Sequence, residues 1–472
     1  MLRVYLLTCF LIVNAVLCYG NTSAWDNAYL LPSFLANLVA LVIGFHFALK
    51  RKELNLDTII WVFVYMFFFL APVIQLGNGA FFPNTMPIAA ADVVEANFIL
   101  LIWNFVYLLF RIGKRSEPVE PASSLPEAAN ASPLPFMTDR IRQIYFASAF
   151  LVFGLTFALF KFQYFFGYAD YSSKGLDKSI LLIWNITTQG VVVANWIFMF
   201  DRRRRKPSLA ASSQLWLSTA MLLYMTSPFN TTRFYLGFII ILIVYLFYEH
   251  RMTPGKFVWV ILSGLFFIFP LLNYFRYGFK GIEVPSPYHL MFDQLTELHF
   301  DAFSNLIATF HYCAEHGYAF GYRLLGVFLF FVPRSIWTGK PLSSGEAIGD
   351  YISALYSLNF NNLSNPLPSE FFMNFGWVGV AVGAALCAAI VNKLEKGIHK
   401  NRYVHALIAG FLFIIFRGDL MNAFAYCFGT YVIMVKMPAV ISRLQGPARD
   451  RGKEGPPWKM NPRKREWGAD SF

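Results

Sequence analysis

The sequence predicts an all-α polytopic membrane protein, and three observations carry that prediction. Of 472 residues, 57% are hydrophobic and only 14% charged, whereas a soluble domain carries about 25% charged residues. Mean hydropathy is +0.49. Apolar runs close to the roughly 20 residues that cross a bilayer recur along the chain, separated by short basic connections. The net charge of +12 would suit a nucleic-acid partner, but most Lys and Arg lie in those connections and in the tail, so none is expected. Trp and Tyr suit the headgroup belts. The five cysteines are scattered, with no CxxC pair and no disulfide framework.

The elements follow in order. Residues 4–19 read as an uncleaved first helix rather than a signal peptide, because Cys18-Tyr19-Gly20 makes a poor cleavage site. Further helices are predicted over 30–49, 58–76 and 89–110, and a linker with five prolines in 116–135 follows. Next come 143–161, 179–200, 211–227, 234–249 and 256–272. After a long hydrophilic interval the last three are 370–391, 403–416 and 420–436. The units are thus 1–110 (four spans), 111–140 (Pro-rich linker), 141–272 (five spans), 273–368 (large loop), 369–436 (three spans) and 437–472 (basic tail). Twelve spans are expected, or eleven or thirteen if the first is cleaved or 321–333 crosses.

Placing 50–52, 111–115, 202–206, 251–256 and 393–402 on one side gathers nearly all the short-loop Lys and Arg there. The opposite connections 20–29 and 77–88 have none. This pattern predicts cytoplasmic termini and linker, with 273–368 outside. That loop holds four of the eight histidines and the nine-residue apolar run Leu324–Val332. The run is too short to span, so it should fold onto the membrane surface or dip into it.

Outward-facing cations dominate the chemistry: Arg233, Arg276, Arg323, Arg334, Lys340 and Arg417. Guanidinium groups offer phosphate oxygens a planar fork, so together they suit a lipid-linked pyrophosphate; singly, each could be an ordinary headgroup contact. Transfer chemistry also needs a base. Candidates are Glu297, His299 and Asp301, then His311, His316, Glu346 and Glu370. On a helix Glu297 and Asp301 would sit one turn apart. His311 and His316 have neither zinc-helix nor HExxH spacing, so no metal is expected. Phosphate-cradling glycine loops and nucleophile elbows are missing, and no cofactor is expected.

With these residues in view, the chain resembles the Wzy-type O-antigen or oligosaccharide repeat-unit polymerases. The likeness rests on the late outer loop and on Phe331-Val332-Pro333-Arg334-Ser335-Ile336-Trp337-Thr338-Gly339-Lys340-Pro341. Arg334 to Gly345 matches the family's Arg-x10-Gly pattern, Pro368 to Gly376 its Glu-containing helix entry, and Arg417-Gly418-Asp419 its late Arg. The likeness covers about 230–430. Loop 162–178 has no Arg, so the family's earlier Arg-x10-Gly is missing. The resemblance implies a GT-C-like fold in a bacterial inner membrane, with the active site facing the periplasm. It implies a metal-independent glycosyltransferase that moves a growing glycan from undecaprenyl pyrophosphate onto an incoming lipid-linked unit. Partners would be the lipid-linked donor and acceptor, membrane lipids and a chain-length regulator. Arg276, Arg323, Arg334 and Arg417, with Arg233 and Lys340, would bind the pyrophosphate. Glu370 or Asp301 would be the base, and Trp337 would stack on sugar. An O-antigen ligase needing a loop His, or a lipid-linked-sugar flippase, are the rivals.

Overall fold

The computed structural model describes residues 2–79, 81, 89–112, 137–167, 178–272, 292–358, 361, 363–397 and 402–444. Arg276, most of the Pro-rich linker and the end of the basic tail lie outside the described residues. Among the described residues the protein is helical throughout, without strands.

Every predicted apolar segment forms a helix. These are α1 (Leu2–Thr22), α2 (Leu30–Lys50), α3 (Leu56–Gly77), α4 (Ala90–Ile112), α5 (Asp139–Phe160), α6 (Lys178–Arg205), α7 (Leu209–Met225), α8 (Arg233–Tyr248) and α9 (Pro254–Leu272). The interval after α9 supplies three short helices, α10 (Ala302–His316), α11 (Tyr322–Phe328) and α12 (Ser344–Tyr356). The chain ends with α13 (Leu367–Lys396), α14 (Arg402–Arg417) and α15 (Leu420–Leu444). Eight of them, α1 to α5, α9, α13 and α15, are long and apolar enough to cross a membrane. α15 runs eight residues past the predicted end at 436, and the Lys436 ammonium lies over the Tyr431 ring, 5.6 Å from its centroid.

Three of these helices contain a proline that the local winding accommodates. A proline lacks the N–H for the carbonyl four residues back, and its ring presses on that carbonyl. In α3, α9 and α15 a widened π-type stretch lies just ahead of the proline: Val64–Leu70 before Pro72, Gly264–Ile268 before Pro270 and Val432–Lys436 before Pro438. The extra residue in the turn makes room for the ring and keeps the helix continuous.

α3 is the hub. Of its most apolar window, 89% is buried, which fits a helix apolar on all sides. α2, α9, α13 and α14 pack around it. Phe63 stacks on Phe67, and Phe67 stacks on Phe300 of the interval after α9 at 4.8 Å. At the same end Gln75 donates to the carbonyls of Leu295 (2.6 Å) and Phe300 (3.1 Å). The hub therefore holds both the bundle and the start of the loop.

At the opposite end the starts and ends of four helices share one buried ionic node. Arg111 of α4 pairs with Asp57 of α3 and with Glu395 of α13, and both Arg111 and Asp57 are almost wholly buried. Tyr107 donates to Asp57 at 2.7 Å, Arg51 pairs with Glu395, and Asn392 accepts from Arg111. Removing one partner of a buried pair strands the other charge, at a cost of about 3–5 kcal/mol. Arg111→Met should therefore lower the melting temperature of the detergent-solubilised protein sharply. Arg140→Met, at the exposed first turn of α5, should change it little in the same assay.

Candidate functional site

The loop is folded onto the end of the bundle opposite the Arg111 node by a second ion pair. Asp301, fully buried, immediately precedes α10. Its Oδ1 accepts from Arg417 (2.9 Å) and Ser364 (2.7 Å), and its Oδ2 accepts from Asn305 (2.9 Å). Arg417 also donates to the carbonyls of His299 and Leu298 and lies over the Phe234 ring. Three elements meet at one carboxylate.

Glu297 does not share a helix face with Asp301. Residues 298–300 form a short tight turn and α10 starts only at Ala302, so Glu297 is extended outside the helix. Asp301 itself is engaged by three donors and holds the loop in place.

Beyond α10 the strap 317–321 docks on a break in α13. Phe375 and Gly376 leave helical geometry, with Gly376 at φ 61°, where a side chain would be strained. Two strap N–H groups fill the resulting gap: Ala319 donates to the Met373 carbonyl (3.0 Å) and Phe320 to that of Asn374 (2.9 Å). The Met373 and Asn374 carbonyls at the break are thereby paired. It also places the first half of α13, with Glu370, under the loop.

α11 and the turn after it run alongside α15. Phe328 and Phe330 pack on Phe424 and Phe428, about 6–12 Å along α15 from its start at 1.5 Å per residue. The apolar run therefore turns back beside a membrane helix. Irregular backbone there must satisfy its own carbonyls, and the cations do so. Lys340 donates to the carbonyls of Phe330 (2.6 Å) and Val332 (3.0 Å), and Arg334 to those of Lys340 (2.7 Å) and Pro341 (3.3 Å). Burial and the neighbouring Arg334 push the Lys340 amine below its usual value. Arg233 likewise donates to the Phe269 carbonyl and stacks on its ring. Trp337 sits edge-on to Tyr322, behind the cleft described next.

An open cleft of about 630 Å³ lies between α10, the strap and α12, with Met373 of α13 also lining it. Arg323 is the expected cation that lines it. It lies over the Tyr312 ring, and its guanidinium donates to the Tyr312 hydroxyl (3.0 Å) and the Leu342 carbonyl (3.1 Å). His316 stacks on Tyr312 at 4.4 Å, and Tyr351 meets both rings edge-on. Tyr351 donates to Glu315 at 2.6 Å. Of the other loop histidines, His311 pairs with Asp92 of α4. Glu315, Asp350, Tyr312 and Tyr351 were not singled out by sequence reasoning. Nothing in the sequence marked them, because a carboxylate or Tyr on a polar helix face shows its partners only once the facing helix is known.

Glu370 is buried one turn before Met373. It accepts from the Ser344 hydroxyl and from the Leu420 N–H (2.9 Å), and it lies near enough to feel the charges of Asp419 and Arg323. Asp419 caps α15 through the N–H groups of Met421 and Asn422 and accepts from the Gly345 N–H at 3.2 Å. Gly345 is required by that approach, since a Cβ there would sit 2.2 Å from the Leu363 carbonyl oxygen. Arg334 and Gly345 thus bracket a turn whose end delivers Ser344 to Glu370.

No family model matches the chain, and neither a curated protein nor a solved structure matches it.

Two expectations follow. Gly345→Ala overpacks backbone against backbone and should cost about 1–3 kcal/mol or more, read as a lower melting temperature. Asp419 supplies a pH test. Burial pushes its carboxyl up from the ordinary value, against hydrogen bonds from Ser343 and the nearby backbone. Its folded-state value exceeds the unfolded one, so the stability it contributes is present at low pH and lost as pH rises through the folded value. Asp419→Asn keeps an acceptor at the cap. It should flatten the fall of melting temperature as pH rises above the ordinary Asp value of about 4.

Proposed function

We propose that this chain is a polymerase of lipid-linked oligosaccharide repeat units, related to the Wzy-type family, with twelve spans and its loop facing the periplasm. The observation that carries the reading is the cleft: one guanidinium, Arg323, set among tyrosines at the outer end of an apolar bundle, above a buried carboxylate. Concave sites with a few convergent polar groups are the usual places of ligand binding. The basic connections at the opposite end support the orientation.

In this reading the donor glycan enters on its lipid pyrophosphate from the side of α11, and Arg323 meets the diphosphate. An acceptor hydroxyl attacks C1, the C1–oxygen bond to the pyrophosphate breaks, and the lipid pyrophosphate leaves with the bonding electrons. Arg323 stabilises that growing negative charge without a metal. The hydroxyl proton passes toward Glu370 through the hydrogen-bonded Ser344. Arg334, Lys340, Arg417 and Arg233 shape the loop rather than touch the diphosphate, which narrows the expected cation set to Arg323. Asp301 gives way to Glu370 as the base.

His316 favours a second reading, an O-antigen ligase, because that activity is expected to need a loop histidine and His316 lines the cleft. A lipopolysaccharide gel from a deletion strain separates the two. A single repeat unit on the core supports the polymerase, bare core supports the ligase, and full-length chains defeat both. In the complemented strain Arg323→Ala should cut chain extension by on the order of 100-fold, with Arg323→Lys a poor rescue. His316→Ala should leave a polymerase extending chains. A reporter fusion that places residues 292–358 in the cytosol would remove the orientation on which the reading rests.

A further inference from the structure

The cleft has two electrically distinct ends. Arg323 marks one, beside the Leu342 carbonyl and above Glu370. The other wall carries two exposed carboxylates, Glu315 at the end of α10 and Asp350 on α12. Glu315 holds Tyr351 through Oε1, and Asp350 Oδ1 accepts from Asn361 at 2.7 Å. The second oxygen of each has no partner among the described residues. Between the two ends stands the stack of Tyr312 and His316, with Tyr351 set edge-on to it. Flat aromatic faces beside hydrogen-bond acceptors suit a ring that is apolar on one side and rich in hydroxyls on its rim.

We propose that this carboxylate wall is the glycan subsite of the cleft, and that it selects a non-acidic sugar. The ring held there is neutral or carries amino or acetamido groups, and uronate rings are rejected. The inference rests on reading the cleft as a glycan site, and it adds the class of sugar. Carboxylates accept from hydroxyl and amide N–H groups and offer no donors when ionised. A uronate would bring a third negative charge against two that cannot move away, a repulsion that discriminates by what it excludes. With Arg323 at the opposite end, the same arrangement sets direction: the anionic diphosphate can lie only at the arginine end. The substrate is therefore oriented before any bond changes.

The test uses the full chain in detergent and reads ligand binding alone by saturation-transfer NMR. Probes are a galacturonate trimer, the same trimer fully methyl-esterified, and chitotriose. The ester and chitotriose should bind, and the free galacturonate should bind about tenfold more weakly, the effect of a like-charge contact at a partly solvated site. The gap should narrow as salt is raised. In the Glu315→Gln/Asp350→Asn double variant it should shrink to about threefold or less, because the neutral amides remove the repulsion. Both side chains are exposed, and an unchanged melting temperature checks the fold. Equal binding of acid and ester by the unmodified protein overturns the proposal without any variant. So does an unchanged gap in the double variant, or the absence of transfer to all three probes. Polymerase activity enters none of these readouts. A deletion strain with full-length chains would sink the polymerase reading while leaving the sugar preference standing.

Discussion

The Asp301–Arg417 pair is the constraint on which the outer face depends. Asp301 is fully buried and takes donors from α14, from α10 and from the segment ahead of α13. A charge with no access to water must be paired and hydrogen-bonded to be tolerated, so the three elements cannot drift apart while it is ionised. α10 forms one wall of the cleft, α13 its floor, and Arg417 belongs to the turn whose Asp419 receives Gly345. One carboxylate thus fixes the walls and floor together.

A second constraint comes from the solvent of a membrane protein. Beside hydrocarbon an unpaired carbonyl has no water to turn to, and this chain breaks its helices or leaves them at several points near that depth. Each break is met in a specific way. Widened turns absorb Pro72, Pro270 and Pro438. Strap N–H groups cover the carbonyls freed near Gly376, and Arg334 and Lys340 cover those of the dipping turn after α11. Long cationic side chains do this well because an apolar stem can lie along the turn while the head group donates. Arg334 and Lys340 are in this way engaged by the loop's own backbone.

How much of this was legible in the sequence follows from the same physics. The helices were visible because burial in lipid demands a continuous apolar run, and that demand is local. The return of the Leu324–Val332 run beside the bundle was visible too, since nine residues cannot span. The roles of the arginines were not, because their partners are backbone carbonyls brought near by tertiary folding. Arg334 and Arg417 look alike in sequence, yet one closes its own turn and the other pairs with a carboxylate more than a hundred residues away. The node of Asp57, Arg111 and Glu395 was equally hidden: each sits at a helix end where the pattern predicts an ordinary charge at the membrane edge. Glu315 and Asp350 were overlooked because a carboxylate on a polar helix face carries no signal until the facing helix is known.

The carboxylates around the cleft separate by the donors each serves. Asp301 serves an arginine, a serine and an asparagine and is fully buried. Asp419 serves three backbone N–H groups and the Ser343 side chain and is held as a cap. Glu315 and Asp350 each serve one donor and face open solvent, which suits holding hydroxyls but gives no reason for unusual basicity. Glu370 differs from all of these. It is buried beside a second carboxylate, serves a hydroxyl and one N–H, and lies within the field of the only described cation that lines the cleft. A base must be shielded enough for its proton affinity to respond to its surroundings and still be linked to the substrate through a group that can pass a proton. In the proposed reading Ser344, hydrogen-bonded to Glu370, would be that group. Among these five carboxylates, that combination belongs to Glu370.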